Sequence, residues 1–408
     1  MKTIKDSVHD HIEVAGVARD LLDTPELQRL RRISQLGTAS LVYPAANHTR
    51  FEHSLGVYHL ASEALEHLDV GGPRAERVRA AALLHDVGHG PFSHNLESIT
   101  YRRTGKMHDD VHELFERGAV GEVLRDHDIA PHAVADLVAG DGRYGQLVSG
   151  ELDVDRMDYL VRDAHHTGVP YGTIDHARLV RELTFDDGEL VLAEGNVQTA
   201  ESLLVARALM NPTVYSHHVA RISKAMLRRA GETLLANTDA DATDLRRWDD
   251  PELLVRLRNC EATADLVERL DTRDLLKRAV WAELDDVPAS VREADFEDIR
   301  GYELEIANRA NVPPESVVVD VPGEPSMTES STRVLVGGER RRLDQQSPLV
   351  EALRAAQRAQ WRMGVYAPAE GTDEVGRAAV EALGLDIDGG LVSELRGVPT
   401  TLEDFAEK

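Results

Sequence analysis

The feature that most constrains the fold is a long run of helical periodicity between Pro25 and about residue 230. Apolar residues recur there three and four positions apart, and Gly- and Pro-containing breaks separate the runs. One interruption, Leu179–Leu192 around Asp186-Asp187-Gly188, has the pattern of a β-hairpin. Alternating residues over Thr3–Val14 indicate a strand or hairpin arm. The sequence therefore predicts a mainly α-helical core with a small β-hairpin.

The pattern changes after the polar, acidic segment Asn237–Asp250, which predicts a loop or a domain boundary. Helical spacing is predicted for Pro251–Leu270, Arg273–Leu284 and Pro348–Gln360. Strand-like patterns are found at Ser316–Asp320, Thr332–Val336 and Trp361–Tyr366. This mixture predicts a smaller α/β (α+β) C-terminal lobe. We expect a core over residues 1–235, the lobe over 250–368 and a peripheral segment over 369–408.

Charge and cysteine content narrow the class of protein. The chain has 46 Lys and Arg residues against 72 Asp and Glu, a net charge of −26, and only six of its basic residues are Lys. Such an acidic, lysine-poor surface is typical of a halophilic protein, and it argues against nucleic acid as the main ligand. The single cysteine, Cys260, excludes an internal disulfide and a cysteine-based zinc site. Any metal must therefore be held by His and carboxylate side chains.

The chain carries no apolar run near the roughly 18 residues that a membrane span requires. Its first residues, Met1 to Lys5, lack the apolar centre of a secretory signal. We expect a cytoplasmic protein with no membrane partner.

Four His and Asp residues stand where a helical core would hold aliphatic side chains. His53 and His85 each share a helical line with apolar residues, Asp86 lies near the C-terminal end of a helix, and Asp155 opens a later one. A buried carboxylate at that end of a helix is costly unless a cation lies beside it. Two imidazoles and two carboxylates predict a divalent metal site suited to Mn, Fe, Zn, Co or Ni, with Mg as a further candidate.

A glycine-rich turn, HDVGHGPFSHNLE from His85 to Glu97, carries further histidines. His94 and Glu97 are three residues apart and would face each other on a helix. The carboxylate would raise the pKa of His94 and favour the imidazolium, a suitable general acid for a leaving alkoxide. Either motif alone is more often a core histidine or a chance doublet, but together they predict a metal-dependent phosphohydrolase.

Three segments occur in an order that resembles the HD-domain deoxynucleoside triphosphate triphosphohydrolases: NHTRFEHSLGV from Asn47, HDVGHGPFSH from His85, and DVDRMDY from Asp153. The resemblance is to the dGTPase-like branch that contains the vertebrate enzyme with a sterile-alpha-motif domain and an HD domain. It covers residues 1 to about 230, and we expect no sterile-alpha-motif domain before this core. The resemblance implies hydrolysis of deoxynucleoside triphosphates to deoxynucleoside and inorganic triphosphate.

Carried over by position, the resemblance implies the metal ligands His53, His85, Asp86 and Asp155. It implies the catalytic residues His89, His94 and Glu97, and a further histidine that is either His108 or His112. We favour His112, because Val123 and Leu124 then continue the helix in register.

The resemblance also implies the substrate-binding residues Gln35, Leu36, Arg50, Arg156, Tyr159, Asp163, Arg207 and Tyr215. The three arginines would hold phosphates, while Tyr159, Asp163 and Tyr215 would frame the sugar and leave no room for a ribose 2′-hydroxyl. The chain departs from the family at Asn211, where the family has a histidine beside the substrate.

Members of this family are activated by guanine nucleotides bound between subunits. The residues at the corresponding positions are Lys2, Asp23, Gln28 and Arg31. An aspartate can accept hydrogen bonds from guanine, and cationic side chains can hold phosphates, although Asp23 can equally cap a helix. The resemblance implies a GTP or dGTP activator and a homo-oligomer, either a dimer or a tetramer.

Two alternatives keep part of this interpretation. The metal site could serve a phosphodiesterase or phosphatase that acts on another nucleotide, such as a cyclic or signalling nucleotide. The protein could also be a nucleotide-sensing regulator with little turnover. Activity against a panel of cyclic and hyperphosphorylated nucleotides would test the first alternative. Nucleotide binding without product formation would identify the second.

Overall fold

The computed structural model describes residues 1–387 and residue 392 of the chain. The mainly helical fold class is confirmed: helices dominate, and the strands form small sheets. The predicted peripheral segment is described only in part, since residues 388–391 and 393–408 lie outside the described residues. No helix in the described part is long and apolar enough to cross a membrane.

The first half of the chain begins with a β-hairpin and continues as short-looped helices. Its strands are β1 (Lys2–Asp6), β2 (Asp10–Val14), β3 (Leu183–Asp186) and β4 (Glu189–Leu192). Its helices are α1 (Gly16–Leu21), α2 (Pro25–Arg29), α3 (Arg50–His67), α4 (Gly72–Leu84), α5 (Glu97–Thr104), α6 (His112–Arg117), α7 (Ala119–Asp126), α8 (Pro131–Val138), α9 (Gly142–Val148), α10 (Val154–Thr167), α11 (His176–Arg181), α12 (Val197–Met210) and α13 (His218–Asn237). A π-helical turn, Asn211–Tyr215, joins α12 to α13.

The second half mixes helices and strands. Its helices are α14 (Ala242–Arg247), α15 (Asp250–Asn259), α16 (Ala264–Asp271), α17 (Ala289–Arg292), α18 (Phe296–Ala310), α19 (Leu343–Gln346), α20 (Pro348–Gln360) and α21 (Thr372–Leu383). Its strands are β5 (Lys277–Glu283), β6 (Val318–Asp320), β7 (Arg333–Val336), β8 (Glu339–Arg342) and β9 (Arg362–Ala367).

The strands of the described residues form three sheets. β1 and β2 pair with each other in antiparallel fashion, and β9 lies between β5 and β6 in an antiparallel sheet. The remaining sheet has the order β3-β4-β7-β8, and in it Leu192 of β4 pairs with Val334 of β7. The hairpin of the first half is therefore extended by two strands of the second half.

The apolar core that positions the site surrounds α3, α4, α10 and α12. α3 is buried on most of its faces, so a residue such as His53 lies in the interior. Val334, Leu343 and Val350 from the second half join the same core. A separate cluster lies between the β5-β9-β6 sheet and helices that include α21, where Val375 and Ala379 are buried. The domain boundaries predicted from the sequence stay a prediction.

Some predicted elements are wrong. The segment Arg273–Leu284 is not helical, because Lys277–Glu283 forms β5. Its run of apolar residues suits either structure by pattern alone. In the fold Trp281 packs into one core cluster and Val280 into another, so both faces of the strand are covered. The predicted loop Asn237–Asp250 contains α14, which Asp241 caps.

Candidate metal centre and substrate cavity

The four predicted metal-site residues converge at one point inside the core. His53 comes from α3, His85 and Asp86 follow α4, and Asp155 lies in the first turn of α10. His53 Nε2 lies 2.8 Å from Asp155 Oδ1, 3.2 Å from His85 Nε2 and 3.7 Å from Asp86 Oδ2. The exposed fractions of His53, His85 and Asp86 are 0%, 8% and 2%. Three separate helical segments thus bring their polar side chains together, and the fourth of them, Asp155, is 33% exposed.

The orientation of the two imidazoles fits a metal. His53 Nδ1 donates to Asp158 Oδ2 at 2.7 Å, and His85 Nδ1 donates to the carbonyl of Ala82 at 2.9 Å. Each ring therefore directs its Nε2 toward the other and toward the two carboxylates. A mixed set of imidazole nitrogens and carboxylate oxygens is the donor set that divalent transition metals prefer. The centre implies a divalent metal.

The electrostatics of the four residues agree with a cation site. Burial disfavours the charged form of His53, but hydrogen bonds to Asp155 and Asp158 outweigh burial and raise its pKa to about 10. Burial likewise disfavours the Asp86 carboxylate, yet nearby Arg50, His85 and His89 hold its pKa well below the usual range. The surrounding carboxylates therefore favour a cation at this point, either a proton on His53 or a bound metal.

Arg50 connects this centre to the turn that follows α4. Its Nη1 donates to both carboxylate oxygens of Asp86, at 3.0 and 2.9 Å, and its Nε donates to Ser93 Oγ at 2.8 Å. A capping box between Thr49 and Glu52 fixes the start of α3 and so the position of Arg50. Only 5% of the residue is exposed, which leaves the guanidinium directed at the site.

A strained turn sets the direction of His94. Phe92 and Ser93 both adopt left-handed backbone conformations, with φ of 54° and 57°, which non-glycine residues rarely adopt. The backbone N–H of Phe92 donates to Asp250 Oδ1 at 2.6 Å, and Ser93 Oγ donates to the carbonyl of Ser34 at 2.6 Å. Such strain persists where the surrounding contacts over-determine it, often at functional sites.

Three histidines and a glutamate form a second cluster beside the centre: His89, His94, Glu97 and His108. His94 Nδ1 donates to Glu97 Oε2 at 2.7 Å, and His108 Nδ1 donates to Glu97 Oε1 at 2.6 Å. The rings of His89 and His108 are stacked, with centroids 4.1 Å apart. One carboxylate therefore orients two histidines.

The preference for His112 is corrected by this geometry. His112 Nε2 pairs with Asp136 Oδ1 at 2.8 Å, and both side chains are about half exposed, at 46% and 48%. His112 is the first residue of α6. His108 lies in the preceding loop, and its backbone N–H also donates to Glu97 Oε1. The loop conformation, which the helical register does not reveal, brings His108 to the cluster.

The expected rise in the pKa of His94 is also corrected. Partial desolvation of His94, whose side chain is 52% exposed, lowers its pKa, and so does the charge of Arg50. The hydrogen bond to Glu97 raises the pKa but does not offset these two effects. For His108, by contrast, the hydrogen bond to Glu97 outweighs burial and raises the pKa. The shared carboxylate thus favours a proton on His108 rather than on His94.

A cavity of about 410 Å³ opens from the centre. Eleven of the predicted site residues line it: Gln35, Leu36, Arg50, His85, Asp86, His94, Asp155, Tyr159, Asp163, Arg207 and Tyr215. Tyr215 Oη donates to Asp163 Oδ2 at 3.0 Å, and His48 Nε2 donates to Asp163 Oδ1 at 2.8 Å. The sequence prediction missed His48, and it missed Arg221 and Lys224, which add positive charge to the wall.

Arg156 does not line this cavity. Its guanidinium hydrogen-bonds to the Asp153 carboxylate and to the carbonyl of Gly150. Asp153 also caps α10 by accepting from the backbone N–H of Arg156 at 2.8 Å. This local pairing with the residue that caps α10 engages the guanidinium of Arg156, and the phosphate-binding role of Arg156 stays a prediction.

The four predicted activator-site residues form two side-chain pairs at the surface, one of Lys2 with Asp23 and one of Gln28 with Arg31. Lys2 Nζ lies 3.8 Å from Asp23 Oδ1, and these side chains are 51% and 79% exposed. Arg31 Nε donates to Gln28 Oε1 at 2.9 Å, and its guanidinium lies over the ring of Phe51 at 3.6 Å. The pairs remain accessible to a ligand or a partner.

The helical core and the buried His/Asp centre define the class of the protein, which is an HD-type metal-dependent phosphohydrolase. The chain belongs to the HD-domain family with an HD associated region: the HD-domain model matches residues 50–163, and the HD associated region model matches residues 174–394.

Relatives support the same assignment. An uncharacterized protein of Methanocaldococcus jannaschii is 34% identical over 393 residues, covering 92% of this chain and 81% of that protein. A Dictyostelium discoideum homologue of the deoxynucleoside triphosphate triphosphohydrolase SAMHD1 is 32% identical over 252 residues, which cover 56% of this chain and only 48% of that protein. A phosphohydrolase structure from Bacteroides thetaiotaomicron has a TM-score of 0.73 at 27% identity, and the alignment covers 90% of this chain and all of that one.

Proposed function

We propose that the protein hydrolyses deoxynucleoside triphosphates to deoxynucleoside and inorganic triphosphate. The observation that carries this proposal is the continuity of one cavity, which joins the His/Asp centre and His94 to a tyrosine-lined wall that ends at Asp163. The relationship to a protein described as a deoxynucleoside triphosphate triphosphohydrolase supports it.

The tyrosine-lined wall suits a deoxyribose. The rings of Tyr159 and Tyr215 approach edge to face, with centroids 6.1 Å apart. Asp163 already accepts from Tyr215 and His48 and can accept a sugar hydroxyl through its remaining lone pairs. Gln35 Oε1 is buried and makes no hydrogen bond within the described part of the chain, so a hydroxyl donor of a ligand would satisfy it.

The cations of the cavity wall suit the triphosphate. Arg50, Arg207, Arg221 and Lys224 line the same space, and guanidinium groups bind phosphate oxygens through charge-assisted hydrogen bonds. A divalent metal held by His53, His85, Asp86 and Asp155 would supply Lewis-acid stabilisation of charge on a phosphoryl oxygen. Substrate binding and proton transfer would be carried out by side chains of this protein.

Water would attack the α-phosphorus, and the bond between that phosphorus and the 5′-oxygen would break. His94 would give the proton that the 5′-oxygen needs, while Glu97 holds the ring through Nδ1 at 2.7 Å and leaves Nε2 for the substrate. The pKa of His94 is lowered in the protein alone, but the negative charge of a bound triphosphate would favour its protonated form. The attacking water loses one proton, which balances the proton that the 5′-oxygen gains.

A guanine nucleotide would act as activator at Lys2, Asp23, Gln28 and Arg31, in a homo-oligomer that completes the site. The two surface pairs offer a carboxylate for guanine and cations for phosphates. The net charge of −26 supports work in high salt. Size measurement with and without GTP tests assembly, and a salt titration of activity tests the halophilic character.

The test of the function is turnover of the four dNTPs by purified protein with Mn²⁺ or Mg²⁺ in high salt, with and without GTP. We expect deoxynucleoside and triphosphate as products, and no nucleoside monophosphate. The His85→Ala variant serves as the control. Survival of dNTPs under every condition, equally in both proteins, would overturn the proposal, and turnover of cyclic or hyperphosphorylated nucleotides instead would favour a different phosphohydrolase.

A further inference from the structure

A buried carboxylate lies behind the metal centre, on the side of His53 that faces away from it. Asp158 Oδ2 accepts from His53 Nδ1 at 2.7 Å, and Asp158 Oδ1 accepts from His9 Nε2 at 2.6 Å. Arg162 donates to the same carboxylate through Nε at 2.8 Å and Nη2 at 3.0 Å. The side chains of all four residues are at most 1% exposed.

The N-terminal hairpin supplies the rest of this network. His9 lies between β1 and β2, and its backbone N–H donates to Asp6 Oδ1 at 2.8 Å. Arg162 Nη1 donates to Asp6 Oδ2 at 2.9 Å, so its guanidinium bridges Asp6 and Asp158. The hairpin therefore contacts Asp158 directly through His9 and indirectly through Asp6 and Arg162.

The helix that carries His53, α3, has a glycine at the position where it contacts this network. A Cβ atom at Gly56 would lie 1.8 Å from Asp158 Oδ1 and 2.5 Å from Arg162 Nη2. Only glycine lets both charged groups lie against α3 one turn after His53. The close approach places the carboxylate where it can hold the His53 ring.

We propose that Asp158 is a positioning residue for the metal centre, and that the N-terminal hairpin holds Asp158 in place through His9 and Asp6. This inference rests on the proposed role of His53 as a metal ligand. A carboxylate on the far nitrogen of a metal-binding histidine fixes its tautomer and its ring orientation. Asp158 keeps the proton of His53 on Nδ1 and leaves Nε2 free for the metal.

His9 connects Asp158 to the N-terminal hairpin, whereas the other donors to this carboxylate, His53 and Arg162, belong to α3 and α10. Arg162 lies on the same helix as Asp158, four residues later, and moves with it. Without His9, Asp158 Oδ1 keeps its contact with Arg162 Nη2, but the link from the carboxylate to the hairpin is lost. The carboxylate can then rotate away from His53, and the ring loses its fixed orientation.

The experiment measures Mn²⁺ affinity by calorimetry and the visible spectrum of the Co²⁺-loaded protein. The variants are Asp158→Asn, His9→Ala and His9→Gln, with His59→Ala as the matched control. The His59 ring lies 5.0 Å from that of His9 but pairs with Glu63 rather than with Asp158. Asp158→Asn breaks a buried ion pair and can unfold the chain, whereas His9→Ala keeps the pair of Asp158 with Arg162.

We expect His9→Ala and Asp158→Asn to weaken Mn²⁺ binding by about 10- to 100-fold and to change the Co²⁺ spectrum. His9→Gln, whose amide can donate to Asp158, should restore most of the affinity, and His59→Ala should match the wild type. Unchanged Mn²⁺ affinity in His9→Ala, or an equal loss in His59→Ala, would overturn the role of the hairpin. A wild-type protein that binds neither ion would instead refute the metal centre itself.

Discussion

The Nε2 atoms of His53 and His85 face each other at 3.2 Å in the core of the protein. Each ring uses its Nδ1 for a hydrogen bond on the opposite side, so the two Nε2 lone pairs point at one position. Asp86 and Asp155 add carboxylate oxygens around that position. Only a proton or a metal cation relieves the repulsion between the two nitrogens, and the four ligands together fit a divalent metal.

The first prediction concerns metal content. His85→Ala removes one of the two facing imidazoles, so the variant should retain little of the divalent metal that the wild type carries and should lose turnover. Elemental analysis of both proteins from the same high-salt preparation provides the measurement. Equal metal content in the two proteins would place the metal elsewhere in the molecule.

The second prediction separates the two candidate histidines. His94→Ala should lower kcat by about 10²- to 10⁴-fold, because a positioned general acid is lost. His108→Ala should also lower kcat, since His108 shares Glu97 with His94. His112→Ala is the matched control and should leave kcat within about twofold, since His112 pairs with Asp136 outside the cluster. A large loss in His112→Ala with none in His108→Ala would reverse the assignment.

The third prediction concerns the sugar. Tyr215→Ala should open space beside Asp163 and lower the ratio of kcat/KM for dGTP over GTP by about tenfold or more, because a steric exclusion is removed. Tyr215→Phe retains the ring but not the hydrogen bond to Asp163, so it should keep the discrimination. If the Ala variant discriminates as strongly as the wild type, Tyr215 does not exclude the 2′-hydroxyl.

The fourth prediction concerns stability and pH. Burial raises the pKa of Asp320, but the guanidinium groups of Arg221 and Arg228 outweigh it and lower the pKa to about 2. Since the unfolded value is about 3.9, this carboxylate stabilises the fold above pH 4 by about 2 to 3 kcal/mol, and the contribution is lost as the pH falls through about 2.

Asp320→Asn should therefore lower the free energy of unfolding by about 3 to 5 kcal/mol near neutral pH, because Arg221 is left without its buried partner. The difference from the wild type should narrow as the pH falls below 4. Asp274→Asn is the control, because Asp274 is 62% exposed in its pair with Arg269 and should change stability by less than about 1 kcal/mol. A difference that does not depend on pH would contradict the assigned pKa.

The sequence predicted the parts of the site that depend on local pattern. His53 and His85 could be placed in the interior because each repeats with apolar residues at helical spacing. The helix Pro348–Gln360 has the bounds that its pattern indicates. Periodicity indicates which face of a helix is buried. A carboxylate on such a face needs a neighbouring cation, and this requirement predicts the metal site.

The parts that failed depend on tertiary contacts. His108 joins the cluster through a loop, and Lys277–Glu283 becomes a strand because both of its faces are covered. His9 is remote in sequence from Asp158, and no spacing rule links them. The opposite charges of Asp158 and Arg162, four residues apart, were a sequence signal of a charged pair on this helix, and the structure shows that both are buried.

The most direct test of the central claim is the fate of the oxygen in H₂¹⁸O during turnover of a dNTP. Attack at the α-phosphorus with departure of the 5′-oxygen predicts that mass spectrometry finds ¹⁸O in the inorganic triphosphate and none in the deoxynucleoside. Label in the 5′-hydroxyl of the nucleoside, or formation of a labelled monophosphate with pyrophosphate, would contradict the proposed reaction.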